Sequence, residues 1–340
     1  MKTEKIILNQ EKDVTLTTYL QDCGGEFANI PARPAILVLP GGGYDFCSDR
    51  EAEPIALTYL HAGYQAFILR YSRMENKKWP APLMDYEEAI TMIRSRAEEW
   101  GVIPDKIAVI GFSAGGHLAA SAATMSVNRP NAAILVYAVL DEESAKEWNE
   151  TAPDAVAAVD EKTCPCFLAA SRTDTMVPAD NTIRFMQALF DHDISFESHV
   201  YSFAPHGFSL GDTTVQNPAQ KYTPRVGHWV EESFGWLKEV FGDFGQGTLT
   251  EPAFGHYALR THDDHLSLDS TIGQVLATEE GRALFAALMG GQQGGGGAQG
   301  DINIKQSVMN RFKVSDLLGF SSIPEEVLGQ IEAQLKAIKV

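Results

Sequence analysis

A chain of 340 residues exceeds a typical single domain, and 44% hydrophobic with 21% charged residues is the composition of an ordinary globular protein. No unbroken apolar stretch is long enough to span a bilayer, which argues against membrane insertion. Lys and Arg number 27 against 45 Asp and Glu, a formal charge of −18 that repels nucleic acid and anionic membranes and leaves a neutral or small molecule as the expected partner.

The first residues, Met1 to Asn9, begin polar and lack the apolar region and small-residue cleavage site of a signal peptide, so a cytoplasmic protein is expected. Cys23, Cys47, Cys164 and Cys166 have neither zinc-knuckle nor thioredoxin spacing and read as reduced packing residues. Runs at 5–8 and 14–20 predict an antiparallel edge. Apolar runs at 35–39, 65–69, 107–110, 133–137 and 166–170 then predict buried parallel strands, followed by an alternating strand at 197–201. Between them Leu83, Tyr86, Ile90, Ile93, Ala97 and Trp100 recur three or four apart, the stripe of one helix facing the sheet. A helix over 226–241, with Val230, Phe234, Leu237 and Phe241 on one side, closes this part. The fold class is therefore α/β, a mostly parallel sheet with helices on both faces.

Beyond 248 no strand pair with a buried-core signature is found. The tract 289–300, with Gly290-Gly291 and Gly294 to Gly297, has a flexible composition and separates two helical pieces. One, near 272–289, is capped by Ser270 or Thr271; the other follows Ser322-Ile323-Pro324-Glu325, a capping-box spacing, with Leu328, Ile331, Leu335 and Ile338 as its stripe. The expected division is an α/β domain over 1–245 and a small helical module over 246–340.

Chemistry is concentrated in Gly111-Phe112-Ser113-Ala114-Gly115, a G-x-S-x-G motif directly after the strand at 107–110 and before the helix-forming run that starts at Gly116. A serine at such a sharp strand-to-helix turn exposes its hydroxyl for nucleophilic attack. It then needs a base, a carboxylate to orient the base, and backbone donors for an oxyanion. Pro40-Gly41-Gly42-Gly43-Tyr44, after the first parallel strand, offers the N–H groups of Gly42 and Gly43, with Ala114 as a third. Asp174 lies just past the strand at 166–170; nearby Asp180 is its rival but suits the cap of the following helix better. His206, between Pro205 and Gly207 after the last strand, is the candidate base. His61, His117, His192 and His228 fall on or near helices, where structural or solvated histidines are common, and His199 falls within a strand. His262 and His265 flank Asp263-Asp264 but lack the helical pairing of a zinc site, so no metal is expected.

The chain order Ser113, Asp174, His206 is that of α/β-hydrolases and differs from the chymotrypsin and subtilisin orders. On Pro40-Gly41-Gly42-Gly43-Tyr44, Gly111 to His117, Asp174-Thr175-Met176-Val177-Pro178 and Pro205-His206-Gly207, residues from about 14 to 241 resemble the esterase branch of the α/β-hydrolase superfamily, and within it are similar to acetylxylan-esterase-like carbohydrate esterases. Many esterases of the superfamily carry His where this chain has Pro40, so loop anchoring must differ; the P-G-G-G-Y form resembles the acetylxylan-esterase-like proteins. The segment from about 268 to 340 resembles, on the short motif Asp269-Ser270-Thr271-Ile272-Gly273, a helical module appended to some bacterial carbohydrate-active enzymes.

The resemblance implies a serine carboxylic-ester hydrolase that removes short acyl groups, acetyl foremost, from xylan-derived or other oligosaccharides through an acyl-enzyme, with no metal or organic cofactor. Only the short polar stretch 141–162 is available to cover the site, which argues against a large lid. Tyr44, Trp79 and Trp148 are candidates to stack on a sugar face, each equally a packing residue. A serine exopeptidase and a non-enzymatic binding protein on the same scaffold are the alternatives, and the oligomeric state is left open.

Overall fold

Eight strands form one sheet in the order β1-β2-β4-β3-β5-β6-β7-β8. They are β1 (Lys2–Asn9), β2 (Val14–Leu20), β3 (Arg33–Leu39), β4 (Gln65–Arg70), β5 (Val102–Phe112), β6 (Ala132–Val136), β7 (Cys166–Ser171) and β8 (Phe196–Tyr201). Pairing is antiparallel from β1 to β2 and from β2 to β4, and parallel across all the rest. The computed structural model describes residues 1–215, 224–244, 250, 252, 265–290, 309–310, 312–319 and 323–339.

The continuous apolar character of the central strands has a direct cause: alternate residues enter opposite cores. Leu37, Leu39 and Val109 belong to one buried cluster, whereas Ile36, Val38 and Ile110 belong to another, so both faces of the sheet are covered. Helices α2 (Ala81–Ser95), α4 (Ser113–Met125) and α6 (Asp180–Asp191) supply Ile90, Leu118 and Phe185 to the first cluster. Helices α1 (Glu53–His61) and α7 (Trp229–Phe241) supply Ile55, Tyr59, Trp229 and Leu237 to the second.

Two helices expected to be continuous are divided. The stripe from Leu83 to Trp100 runs through α2 and a short α3 (Ala97–Trp100), with Arg96 at φ −103°, ψ 18° between them. Ala97 and Trp100 stay buried, so the apolar period crosses the bend and conceals it from sequence reading. The closing helix likewise begins as a 3-10 turn, Pro224–His228, before α7.

The chain divides into two compact units, Met1–Tyr257 and Ala258–Val340, later in sequence than the expected 245/246. The second has its own core, centred on Ile272, Val275, Val314, Ile331 and Leu335. Thr271 caps its first helix: Thr271 Oγ1 accepts from Gln274 N–H at 3.2 Å and Gln274 Oε1 accepts from Thr271 N–H at 2.8 Å. The piece expected over 272–289 is two helices, Ile272–Ala277 and Glu279–Gly290. Between them Thr278 is extended and its Oγ1 accepts from Gly281 N–H at 3.0 Å, so a side-chain cap starts a second helix where the periodicity implied one. A helix over Val314–Gly319 was not anticipated, and the last, Glu325–Lys336, starts after Pro324 with no side-chain cap. The glycines at 291–300, His262, Asp263, Asp264 and Ser322 lie outside the described residues. Among the described residues no helix is long and apolar enough to cross a membrane.

Candidate active site

Parallel pairing brings the carboxyl ends of β3, β5, β7 and β8 to one edge of the sheet, and each is followed by one motif: Pro40 to Tyr44, Ser113, Asp174 and His206. Residues scattered over more than half the first unit therefore meet because the strands run the same way.

Ser113 is the first residue of α4 and has φ 53°, a left-handed conformation that a non-glycine residue holds only when its surroundings enforce it. Enforcement comes from the neighbouring glycines. A Cβ on Gly111 would lie 2.2 Å from the Gly115 carbonyl oxygen, and one on Gly115 would lie 2.1 Å from the Leu39 carbonyl oxygen, so helix and strand close to a distance that excludes side chains. The Ser113 carbonyl also accepts from Val139 N–H at 3.1 Å.

Ser113 Oγ is 2.9 Å from His206 Nε2, and His206 Nδ1 is 2.7 Å from Asp174 Oδ2. A carboxylate only accepts, so Nδ1 carries the proton and Nε2 is left to accept from the serine hydroxyl. Asp174 Oδ1 accepts from the N–H groups of Met176 and Val177 at 2.9 and 3.0 Å, which fixes the carboxylate plane. The His206 loop is tied to the end of β7: Ser171 Oγ accepts from Ala204 N–H at 2.7 Å, and Thr173 Oγ1 donates to the Ala204 carbonyl at 3.1 Å. The His206 side chain keeps 14% of its surface exposed against 1% for Asp174, so the row opens to solvent at its histidine and serine end. Asp180 stands apart. It is not a cap but the first residue of α6, paired at 2.8 Å with Arg184 one turn on.

The glycine loop lies against the serine, since a Cβ on Gly41 would be 3.0 Å from Ser113 Cβ. Tyr71 OH donates to the Pro40 carbonyl at 2.6 Å, and the Gly42 carbonyl accepts from Asp45 and Phe46 N–H. Among the described residues the N–H groups of Gly42 and Gly43 have no acceptor, and Ala114 N–H lies in the first turn of α4, where backbone donors have no partner within the helix.

Of the three aromatic candidates, Tyr44 requires correction. It is 1% exposed, with its hydroxyl 2.7 Å from His117 Nδ1, because its backbone at φ 63° turns the ring inward onto Tyr71 and His117. Burial closes it to a sugar. Trp79 is half-buried and packs edge-on against Tyr44 and His117. Trp148, also half-buried and the last residue of α5 (Glu142–Trp148), lies against the glycine loop: a Cβ on Gly43 would be 2.8 Å from its Cε3. It packs with Val139 and Val177, the latter from the loop that carries Asp174.

Several residues at this edge escaped sequence reading. Buried Glu51 accepts from Gly41 N–H and from Tyr137 OH, both at 2.8 Å. Desolvation raises its pKa, an effect opposed by those two hydrogen bonds. The Tyr137 ring stands edge-on to His206 at 5.0 Å. His117 is fully buried, with Nε2 2.9 Å from the Pro153 carbonyl; that acceptor places the proton on Nε2, leaving Nδ1 to accept from Tyr44, and desolvation lowers its pKa to about 4. An acid in a polar turn and a histidine on a helix look solvated in sequence, and nothing in their local pattern marks them as buried. Elsewhere, on β8, His199 Nε2 is 2.7 Å from Glu197 Oε1, with Glu232 close by; no residue of that cluster belongs to the Ser113 row.

Fold and site together define an α/β protein with a hydrogen-bonded Ser–His–Asp row at the carboxyl edge of a mostly parallel sheet. A sequence model of the BD-FAE family matches residues 28–155. The crystal structure of MGS-M1, an α/β hydrolase enzyme from a Medee basin deep-sea metagenome library, is 44% identical over 70% of this chain and 97% of its own, with a TM-score of 0.66. An acetyl ester-xyloside bifunctional hydrolase from Caldicellulosiruptor lactoaceticus is 29% identical over 70% of this chain and 95% of its own, with a TM-score of 0.60. An acetylxylan esterase from Xylanibacter ruminicola is 29% identical over 62% of this chain and 46% of its own length. The chain belongs to the α/β-hydrolase superfamily. It spans 33% and 46% of the length of the first curated relatives it matches.

Proposed function

We propose that this protein is a carboxylic-ester hydrolase that removes short acyl groups, acetyl foremost, from saccharides. The observation that carries the reading is the row Ser113 Oγ, His206 and Asp174 at 2.9 and 2.7 Å, beside a glycine loop with free N–H groups. In the mechanism, Ser113 Oγ attacks the ester carbonyl as its proton passes to His206 Nε2. The oxyanion is held by the N–H groups of Gly42, Gly43 and Ala114, each of which supplies roughly 3 to 4 kcal/mol of transition-state stabilisation in comparable sites. The proton on Nε2 then leaves with the alcohol, and a water activated by the same nitrogen hydrolyses the acyl-enzyme.

A short acyl group is supported by the indole of Trp148, which stands against Gly43 of the glycine loop. A saccharide alcohol is supported by the named activities of the relatives. Cys23, Cys47, Cys164 and Cys166 are free thiols, which supports a reducing compartment such as the cytoplasm. The test is fluorophosphonate labelling together with hydrolysis of p-nitrophenyl acetate and acetylated xylo-oligosaccharides. Wild type should be labelled and active, and Ser113→Ala should lose label and about three to four orders of magnitude in turnover. A Ser113→Ala protein that keeps most of its activity refutes the reading.

A further inference from the structure

Glu51 is a carboxylate only 4% exposed that takes no part in the proton relay, yet it sits within the site. Its two oxygens point to two different catalytic loops. Oε2 accepts from Gly41 N–H, one residue before the first oxyanion donor, and Oε1 accepts from Tyr137 OH. Tyr137 OH in turn accepts from Ser209 N–H at 3.1 Å, and its ring lies against the His206 imidazole. The preceding residue, Arg50, reaches the histidine loop directly: Nη2 donates to the Gly207 carbonyl at 3.2 Å, and the Arg50 carbonyl accepts from Ser209 Oγ at 2.6 Å. Ser48 N–H closes the other side by donating to the Gly41 carbonyl at 2.9 Å.

One short turn, Ser48 to Glu51, thus grips the oxyanion loop at both polar groups of Gly41 and grips the loop that carries His206 at Gly207 and Ser209. Those loops follow β3 and β8, and β8 is the sheet's edge strand, separated from β3 by β5, β6 and β7. Three strands separate the two loops, and a loop misplaced by about 1 Å can lose roughly a hundredfold in rate. An acid buried against its own desolvation is justified there by what it holds.

We propose that Arg50 and Glu51 form a clamp that sets the oxyanion loop and the His206 loop at one fixed separation, with Glu51 and Tyr137 as positioning residues for hydrolysis. The inference rests on the ester-hydrolase reading above. The clamp touches no substrate and acts through donors that matter most when charge develops on the carbonyl oxygen, so its loss lowers kcat and leaves KM nearly unchanged.

The experiment measures kcat and KM for p-nitrophenyl acetate, and the affinity of a short alkylboronic acid as a mimic of the tetrahedral adduct, in Glu51→Ala, Glu51→Gln, Tyr137→Phe and the Gln/Phe double variant, each checked for folding by circular dichroism. Gln can still accept from Gly41 but turns its amide toward Tyr137, so Glu51→Gln and Tyr137→Phe should each lose about tenfold in kcat, and Glu51→Ala about a hundredfold, against the 10² to 10³ of a deleted oxyanion donor. Boronate affinity should fall in parallel with kcat, and the double variant should be no slower than the slower single, because both cut the same link. The clamp is overturned if folded Glu51→Gln and Tyr137→Phe keep kcat within twofold of wild type, or if KM rises while kcat holds. Should Glu51→Ala not fold, those two variants decide. A wild type that hydrolyses no ester and takes no fluorophosphonate overturns the function instead.

Discussion

His117 ties the stability of this protein to pH, and the structure sets both the sign and the size. The ring is fully buried, donates through Nε2 to the Pro153 carbonyl and accepts through Nδ1 from Tyr44 OH, an arrangement that only the neutral imidazole satisfies. Desolvation lowers its pKa from 6.5 to about 4. Above pH 6.5 neither the folded nor the unfolded ring is charged, and stability is complete. As pH falls below 6.5 the unfolded chain binds a proton that the folded chain refuses, so stability declines until about pH 4, where the folded ring is protonated too. At about 1.36 kcal/mol per pH unit, the interval from 6.5 to about 4 corresponds to about 3 kcal/mol. That is a large part of the ~5–15 kcal/mol that holds a typical protein folded. The perturbation is His117→Gln, which retains a donor and an acceptor but does not titrate. Urea unfolding of both proteins from pH 8 to pH 4 isolates the contribution, because every other titrating group is common to the pair. Gln fits the pocket less well, so the variant should be the less stable at pH 8, and the gap should shrink by about 3 kcal/mol by pH 4. Parallel stability profiles for the two proteins would refute the assignment of a buried, neutral His117.

Asp174→Asn tests the relay with little change of shape. The Asn carbonyl should take over the N–H groups of Met176 and Val177, which turns the amide N–H toward His206 Nδ1 and forces the proton onto Nε2, where it blocks acceptance from Ser113. Turnover of p-nitrophenyl acetate should drop about 10⁴-fold at neutral pH, and a loss under tenfold would show that Asp174 does not set the tautomer. Gly115→Ala puts a Cβ 2.1 Å from the Leu39 carbonyl oxygen and 2.4 Å from that of Pro40, so the backbone must move. A loss of about 1–3 kcal/mol by urea unfolding, with a fall in kcat, is expected, and an unchanged midpoint would contradict the close packing at the serine turn.

The strands from β3 to β7 are visible in sequence because a strand buried on both faces carries a run of apolar residues, and their alternation with helices implies parallel pairing. A cap at Ser270 or Thr271 was readable from hydroxyls just before the helix, and the structure chose Thr271, whose Oγ1 accepts from Gln274 N–H. Ser113, Asp174 and His206 could be selected because each occupies a short, chemically marked loop just after a strand. Periodicity could not reveal the bend at Arg96 or the second cap at Thr278, since both leave the apolar stripe intact. Tyr44 could be read as a sugar-stacking or a packing residue because its motif is local, whereas the contact that decides for packing is with His117, distant in sequence. Glu51, Tyr137 and His117 are the clearest cases: whether an acid, a phenol or an imidazole is buried depends on partners 10, 86 and 73 residues away. Local sequence determined most of the elements and the candidate site residues, because propensity and backbone chemistry act over a few residues. Only the tertiary structure decided which polar groups lose their water, because desolvation is a property of the assembled surroundings.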